Sequence, residues 1–199
     1  MPLKPLKIAL TGGIACGKSL FAKFLRELGV QTLDADDIVH ELIPVEERRR
    51  LAPIVFADPV ARRALEARIH PLVRARIDSW FSAPATSDGP DGLNALKAPK
   101  SSTPTPVFKL AIIPLLFECN WDADYDIIIC ISSPAEEQIR RMVETRGLTR
   151  EAAEARLNAQ LPVSEKAAWS QYVVCNDSTV EHLHEEAIRC VKWLQSRQS

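Results

Sequence analysis

Glycine, cysteine and aromatic residues are sparse in this chain of 199 residues, which has seven glycines, five cysteines and 6% Phe, Trp and Tyr. The cysteines (Cys16, Cys119, Cys130, Cys175, Cys190) form no C-x-x-C pair and no zinc-type spacing, so neither a disulfide framework nor a thiolate metal site is written in them. An odd, scattered set of thiols points to a reducing, cytoplasmic setting. No charge of one sign prevails: 25 Lys and Arg stand against 26 Asp and Glu, a net charge of −1. The basic excess of a general nucleic-acid binder is therefore missing, and no nucleic-acid partner is expected. Long hydrophobic runs are missing too. The longest, 107–117, is broken by Lys109 and Pro114 and falls short of the roughly 20 residues a membrane span needs. The first seven residues lack the apolar stretch of a secretory signal. What is present is 46% hydrophobic residues, enough for the packed core of a single domain over 1–199.

Short apolar runs at 6–11, 30–33, 108–113, 125–131 and 172–175 read as strands, the first ending in glycines. Between them lie helical patterns at 18–28, 46–52, 60–81, 135–145, 150–160 and 180–195. In the first of these, Leu20, Phe21, Phe24, Leu25 and Leu28 share a face and Gly29 supplies the stop. Strands apolar on both faces, alternating with helices, predict a three-layer α/β fold around a five-stranded parallel sheet. The stretch 82–106, rich in Pro, Ser, Thr and Ala and without periodicity, predicts a flexible insertion.

Three of the seven glycines fall within Gly12-Gly13-Ile14-Ala15-Cys16-Gly17-Lys18-Ser19, which satisfies G-x-x-x-x-G-K-S/T with a strand before it and an amphipathic helix after it. Glycines let such a loop turn its N–H groups inward, and the helix adds the positive end of its dipole. Lys18 can neutralise the β- and γ-phosphates of a nucleoside triphosphate, and the Ser19 hydroxyl can ligate Mg²⁺. The loop alone does not separate kinases, GTPases, ATPases and passive binders.

Asp34 and Asp36 follow the second strand, at the sheet edge where open α/β folds bind ligands. Phosphoryl transfer needs one group to orient the attacking hydroxyl and take its proton, and another near the metal. Two carboxylates suit that work, although acidic residues there also cap the following helix. A guanine-reading Asn-Lys-x-Asp is absent, and Asp-x-Asp after the second strand points to a small-molecule kinase.

In that context the chain resembles the dephospho-CoA kinase family. The resemblance runs through Leu10-Thr11-Gly12-Gly13-Ile14, Leu33-Asp34-Ala35-Asp36, Val55-Phe56-Ala57-Asp58, Arg63-Ala64-Leu65-Glu66 and His70-Pro71-Leu72-Val73. It continues through Ile113-Pro114-Leu115-Leu116-Phe117-Glu118, Gly147-Leu148-Thr149, Ala155-Arg156-Leu157-Asn158-Ala159-Gln160 and Asn176-Asp177-Ser178, in the family's order. It implies a P-loop kinase with an acceptor lobe at about 37–81 and a lid at about 136–165. The implied reaction moves the ATP γ-phosphate to the ribose 3′-hydroxyl of dephospho-CoA, the last step to coenzyme A. The implied catalytic residues are Asp36 as base, Lys18, Arg141 and Arg146. Gly12, Gly13, Ile14, Ala15, Cys16, Gly17, Lys18, Ser19, Leu20 and Asn176 would hold ATP. Asp36, Arg63, His70, Arg74 and Glu118 would hold the acceptor, with Ser19 and Asp34 at Mg²⁺. A monomer is expected.

The chain departs from the family pattern where only a few residues separate Asp36 from Glu46, so the acceptor lobe is reduced. The 82–106 insertion and a lid arginine one position out of register, at Thr145-Arg146, are further departures. Two alternatives stay open on sequence: a shikimate-type small-molecule kinase, and a nucleotide-binding protein without turnover.

Overall fold

The computed structural model describes residues 6–84 and 108–197, except the side chains of residues 56, 57 and 59. The uncharged run at the start forms strand β1 (Ile8–Gly12), buried along its whole length. Then come α1 (Lys18–Glu27), β2 (Gln31–Asp34), α2 (Ala35–Leu42), α3 (Val45–Ala57), α4 (Pro59–Ser82), β3 (Lys109–Ile112) and β4 (Ile127–Ser132). The chain closes with α5 (Ala135–Arg146), α6 (Arg150–Asn158), α7 (Val163–Ala168), β5 (Tyr172–Cys175) and α8 (Val180–Arg197). Among these residues no helix is long and apolar enough to cross a membrane.

The five strands form one sheet in the order β2-β3-β1-β4-β5, as the alternation of strands and helices predicted. β1 is central and pairs in parallel with β3 (Leu10 opposite Ile112) and with β4 (Gly12 opposite Ile131). The chain lays β2 and β3 on one side of β1 and β4 and β5 on the other. The carboxyl end of β1 is therefore the point where the winding reverses, and such a point opens a crevice.

The sheet is covered by apolar helix faces. Phe21 and Leu25 of α1 are fully buried, as are Leu183, Ala187, Cys190 and Leu194 of α8, packed with the β1, β3 and β4 side chains into one core. Each such large apolar side chain contributes roughly 1.5–3 kcal/mol by leaving water.

The described residues divide into two compact units, one built on the sheet (6–32 and 108–197) and one spanning Leu33–Pro84. In the second, α4 presents Ile69, Val73, Ile77 and Phe81, all buried, at four-residue spacing. Asp58 caps α4 by accepting the Val60 N–H at 2.7 Å.

Several boundaries differ from those the sequence suggested. α3 starts at 45 and runs through Pro53 to 57, where the pattern had suggested 46–52. α2 and α7, of eight and six residues, had been anticipated by no periodicity. β2 and β4 sit one or two residues later than expected. The predicted insertion 82–106 lies, from residue 85 on, outside the described residues.

Candidate active site

The loop from Gly12 to Ser19 leaves β1 and enters α1 through residues in unusual conformations. Gly17, the N-cap, has φ 93° and ψ 18°, and Ala15 has φ 56°. No side chain caps α1 and its first turn holds no acidic residue. The positive end of α1 thus carries no acidic side chain of its own, an arrangement suited to receiving an anion. Lys18 bends back over the loop, and its ammonium donates to the carbonyls of Gly12 at 3.0 Å and Gly13 at 2.8 Å. Ser19, in the first turn of α1, is exposed.

The loop is braced from behind. Asn176, just after β5 and nearly buried, donates its side-chain amide to the Cys16 carbonyl at 2.8 Å. A Cβ at Gly17 would strike that same amide, so the brace itself excludes a larger residue there. Arg141 of α5 donates from Nη1 to the Ala15 carbonyl at 3.3 Å and to Ser133 Oγ at 3.1 Å. Its Nη2 donates to the Asn176 carbonyl at 3.0 Å, and its Nε to Glu137 at 2.8 Å. Each guanidinium nitrogen therefore has a protein acceptor, and Arg141 clamps the loop to the ends of β4 and β5. Burial pushes the Cys16 thiol up from its ordinary pKa, with Lys18 partly opposing.

Two glutamines complete the loop's surroundings. Gln138, 1% exposed, donates from Nε2 to the Ser133 carbonyl at 2.9 Å, while its Oε1 meets no donor among the described residues. That oxygen lies 2.5 Å from where a Cβ on Gly13 would stand. Gln160, beyond α6, accepts the Ile14 N–H at 3.1 Å. From Gly13 a cleft of about 660 Å³ runs past the end of β4 and the start of α5 to Pro162, Cys175 and Asp177. A groove of this size holds a nucleoside.

The stretch 136–165, expected to be a lid, takes in most of α5, the Gly147 turn (φ 63°) and α6, which Thr149 caps by accepting the Ala152 N–H at 3.2 Å. Ile139, Met142 and Ala153 make a small core of their own, against which Ile14, Ala15, Leu148 and Leu157 pack. Arg146 is exposed at the last residue of α5. Glu118 accepts the Leu161 N–H at 3.1 Å and pairs at 2.6 Å with Lys166, a fully buried lysine that also donates to the Pro114 carbonyl. Here Glu118 fixes the backbone beside the cleft.

The remaining candidates lie in the unit Leu33–Pro84. Asp34 caps α2, its Oδ1 accepting the Asp36 N–H at 2.9 Å, so one of the carboxylates does the capping work weighed above. Asp36, in the first turn, is exposed. Arg63, His70 and Arg74 occupy positions i, i+7 and i+11 of α4 and share one face. Arg62, Arg68 and Arg76 pair with Glu66, Glu47 and Glu41.

Sequence reasoning missed Gln138, Gln160, Ser133 and Lys166 as parts of the site. Gln160 closes one of the quoted family blocks, and Gln138 stands one helical turn before Arg141; those were the available signals. Lys166 sits in a helix too short to show a pattern.

Comparison with known proteins gives one consistent picture. A family model described as dephospho-CoA kinase matches residues 6–47 and 94–182. The dephospho-CoA kinase of Thermosynechococcus vestitus is 34% identical over 204 aligned positions, covering 91% of each chain. Among solved structures, the Thermus thermophilus protein TT1252 has a TM-score of 0.72 at 30% identity, with 98% of both chains covered. A dephospho-CoA kinase from Campylobacter jejuni has a TM-score of 0.66 at 24% identity, over 97% of this chain and 98% of its own, and supports the fold.

Proposed function

The chain belongs to the dephospho-CoA kinase family, and from that premise we propose that it transfers the γ-phosphate of ATP to the ribose 3′-hydroxyl of dephospho-CoA, giving CoA and ADP. The observation that carries this reading is the Gly12–Ser19 loop, with α1 uncapped by any side chain, Lys18 folded over it and a nucleoside-sized cleft leading away from Gly13.

In the reaction the loop amides and the start of α1 receive the phosphates. Lys18 exchanges the Gly12 and Gly13 carbonyls for phosphate oxygens and neutralises charge on the transferring group. The acceptor's 3′-oxygen forms the new bond to the γ-phosphorus as the bond to the β–γ bridging oxygen breaks, and ADP leaves. The hydroxyl proton passes to Asp36. A carboxylate with an ordinary pKa near ~4 cannot strip an alcohol in advance, so Asp36 orients the hydroxyl and takes the proton as the bond forms. The Ser19 hydroxyl and the Asp34 carboxylate are hard oxygen donors of the kind that would hold Mg²⁺, which would supply positive charge to offset that of the phosphates. Arg146 is the lid cation, while Arg141 positions the loop. Arg63, His70 and Arg74 on their shared face, together with Glu118, serve the acceptor, since arginine pairs bidentately with phosphate. The enzyme works in this reading as a cytoplasmic monomer, which light scattering of the purified chain checks.

ATP-dependent conversion of dephospho-CoA to CoA, followed by mass spectrometry, tests the proposal. Product from the native chain is expected, with turnover lower by at least ~100-fold in Lys18→Met, as for loss of one preorganised charge-stabilising group, and in Asp36→Asn. ATP binding without any CoA formed would sink it.

A further inference from the structure

A buried carboxamide oxygen without a donor meets the phosphate loop at its second glycine. Gln138 is 1% exposed; its Nε2 donates to the Ser133 carbonyl at 2.9 Å, and its Oε1 has no hydrogen-bond donor among the described residues. A carbonyl can only accept, so the bond to Ser133 fixes which end of the carboxamide is oxygen. That oxygen lies 2.5 Å from the point a Cβ on Gly13 would occupy, and Cys16 Sγ lies 3.0 Å from the same point. It therefore sits against the face of Gly13 that carries hydrogen in place of a side chain, where a Cα–H group can meet it. A buried oxygen left without a donor costs stability, and methionine would fill such a space without that cost. Packing alone does not call for a polar atom here.

Gly13 is a position where such a contact matters. Without a side chain its backbone is the freest to rotate, so the direction of its carbonyl is set by its surroundings. That carbonyl accepts the Lys18 ammonium at 2.8 Å and the Cys16 N–H at 3.3 Å. Arg141, three residues beyond Gln138 in α5, holds the same loop at the Ala15 carbonyl. One helix thus grips the loop at two points, its entry and its middle.

We propose that Gln138 is a positioning residue for Lys18. Its carboxamide, anchored on Ser133, fixes Gly13, and the Gly13 carbonyl in turn fixes the ammonium that serves the transferring phosphate. The inference deepens the kinase reading above and rests on it.

The test uses full-length chains carrying Gln138→Met, close in length but without the carboxamide, and Gln138→Ala, which cannot clash. Melting temperature, kcat, KM for ATP and the rate at which acetic anhydride acetylates Lys18 without ligand are compared with those of the native chain. Gln138→Met is expected to melt no lower than the native chain and to lose about tenfold or more in kcat, because a slightly misplaced catalytic group costs at least that much. Its KM should change about threefold or less. Lys18 acetylation should rise about threefold or more in both variants, as a hydrogen bond to a charged group is weakened. In a Lys18→Met background, Gln138→Met should lower kcat no further, since the two residues act as a unit. A residue that only filled space would leave kcat and Lys18 acetylation native in Gln138→Met, and Gln138→Ala would lose activity only in step with melting temperature. Native kcat or native Lys18 acetylation in Gln138→Met, or additive losses in the double variant, would overturn the proposal. If the native chain formed no CoA, the kinase reading would fail, and Lys18 acetylation would still decide whether Gln138 fixes the ammonium.

Discussion

Gly17 and Gly29 have similar backbone angles, φ 93° and 88°, yet differ in surroundings: a Cβ at Gly17 would meet the Asn176 amide, whereas at Gly29 nothing lies within 4 Å. Alanine at 29 should cost about 1 kcal/mol, the strain of the left-handed backbone alone. Alanine at 17 should cost roughly 2–4 kcal/mol, with the clash added, and should weaken ATP binding as the Asn176 brace shifts. Urea unfolding of the two variants checks the ranking. The cysteines offer a second comparison. Cys16, Cys130 and Cys190 are buried, and burial pushes the last two thiols up to about 12 and raises Cys16 as well. Only the thiolate attacks alkylating agents. Iodoacetamide at pH 8 should therefore modify exposed Cys175 first and leave these three until the chain unfolds, and early labelling of Cys16 would contradict the packing described. Glu137 sits below its ordinary carboxylate range, chiefly through its hydrogen bond from Arg140 and then through Arg141. A carboxylate depressed on folding adds stability that is complete above its unfolded pKa and is lost as the pH falls through the folded one. Thermal scans from pH 6 down to pH 3 should show Glu137→Gln losing less stability than the native chain below about pH 4.5.

At the scale of elements, the Glu118–Lys166 pair fixes the segment that follows α6. Lys166 is fully buried and Glu118 one-fifth exposed, so removing one partner strands a charge away from water. Lys166→Met should destabilise by about 3 kcal/mol, and the double variant Glu118→Leu/Lys166→Met should regain part of that. Denaturant unfolding of the three chains tests it; equal loss in the single and double variants would mean the pair is not the anchor. The Arg150–Glu136 pair, both side chains more than half exposed, ties α6 to α5 at the surface, and Arg150→Ala should leave denaturant unfolding nearly unchanged. These elements also show where the sequence was legible. β1, the phosphate loop and α1 could be read because an apolar run, a glycine cluster and a 3.6-residue stripe follow one another without interruption. All five strands could be read as apolar runs, the three inner ones because a parallel sheet buries both their faces, while the edge strands β2 and β5 are only partly buried. α2 could not, because its eight residues start inside the Asp34-Ala35-Asp36 stretch that reads as a strand end. α3 continues through Pro53, which the sequence treats as a stop and which tertiary packing tolerates. In the candidate site the loop was legible as a motif, and Arg141 and Asn176 were named only through the family resemblance. Gln138, Gln160 and Ser133 reach it from elements more than 100 positions away, a pairing that exists only once β4 has been laid beside β1.

In the whole molecule, β2 and β3 lie next to each other in the sheet although everything from residue 35 to residue 108 separates them in the chain. That placement bears on how fast the protein can fold. Joining the two strands means closing a loop of that length, an entropic cost that grows only slowly with length but must be met before the pairing returns anything. Much of the intervening chain is helix, in a compact unit with its own buried residues along α4. Formed early, such helices shorten the loop that remains to be closed. Substitutions that weaken them, such as Ile77→Ala, should then slow refolding measured by stopped-flow. The helical unit Leu33–Pro84 is thus also the spacer whose early compaction brings β2 and β3 within reach of each other.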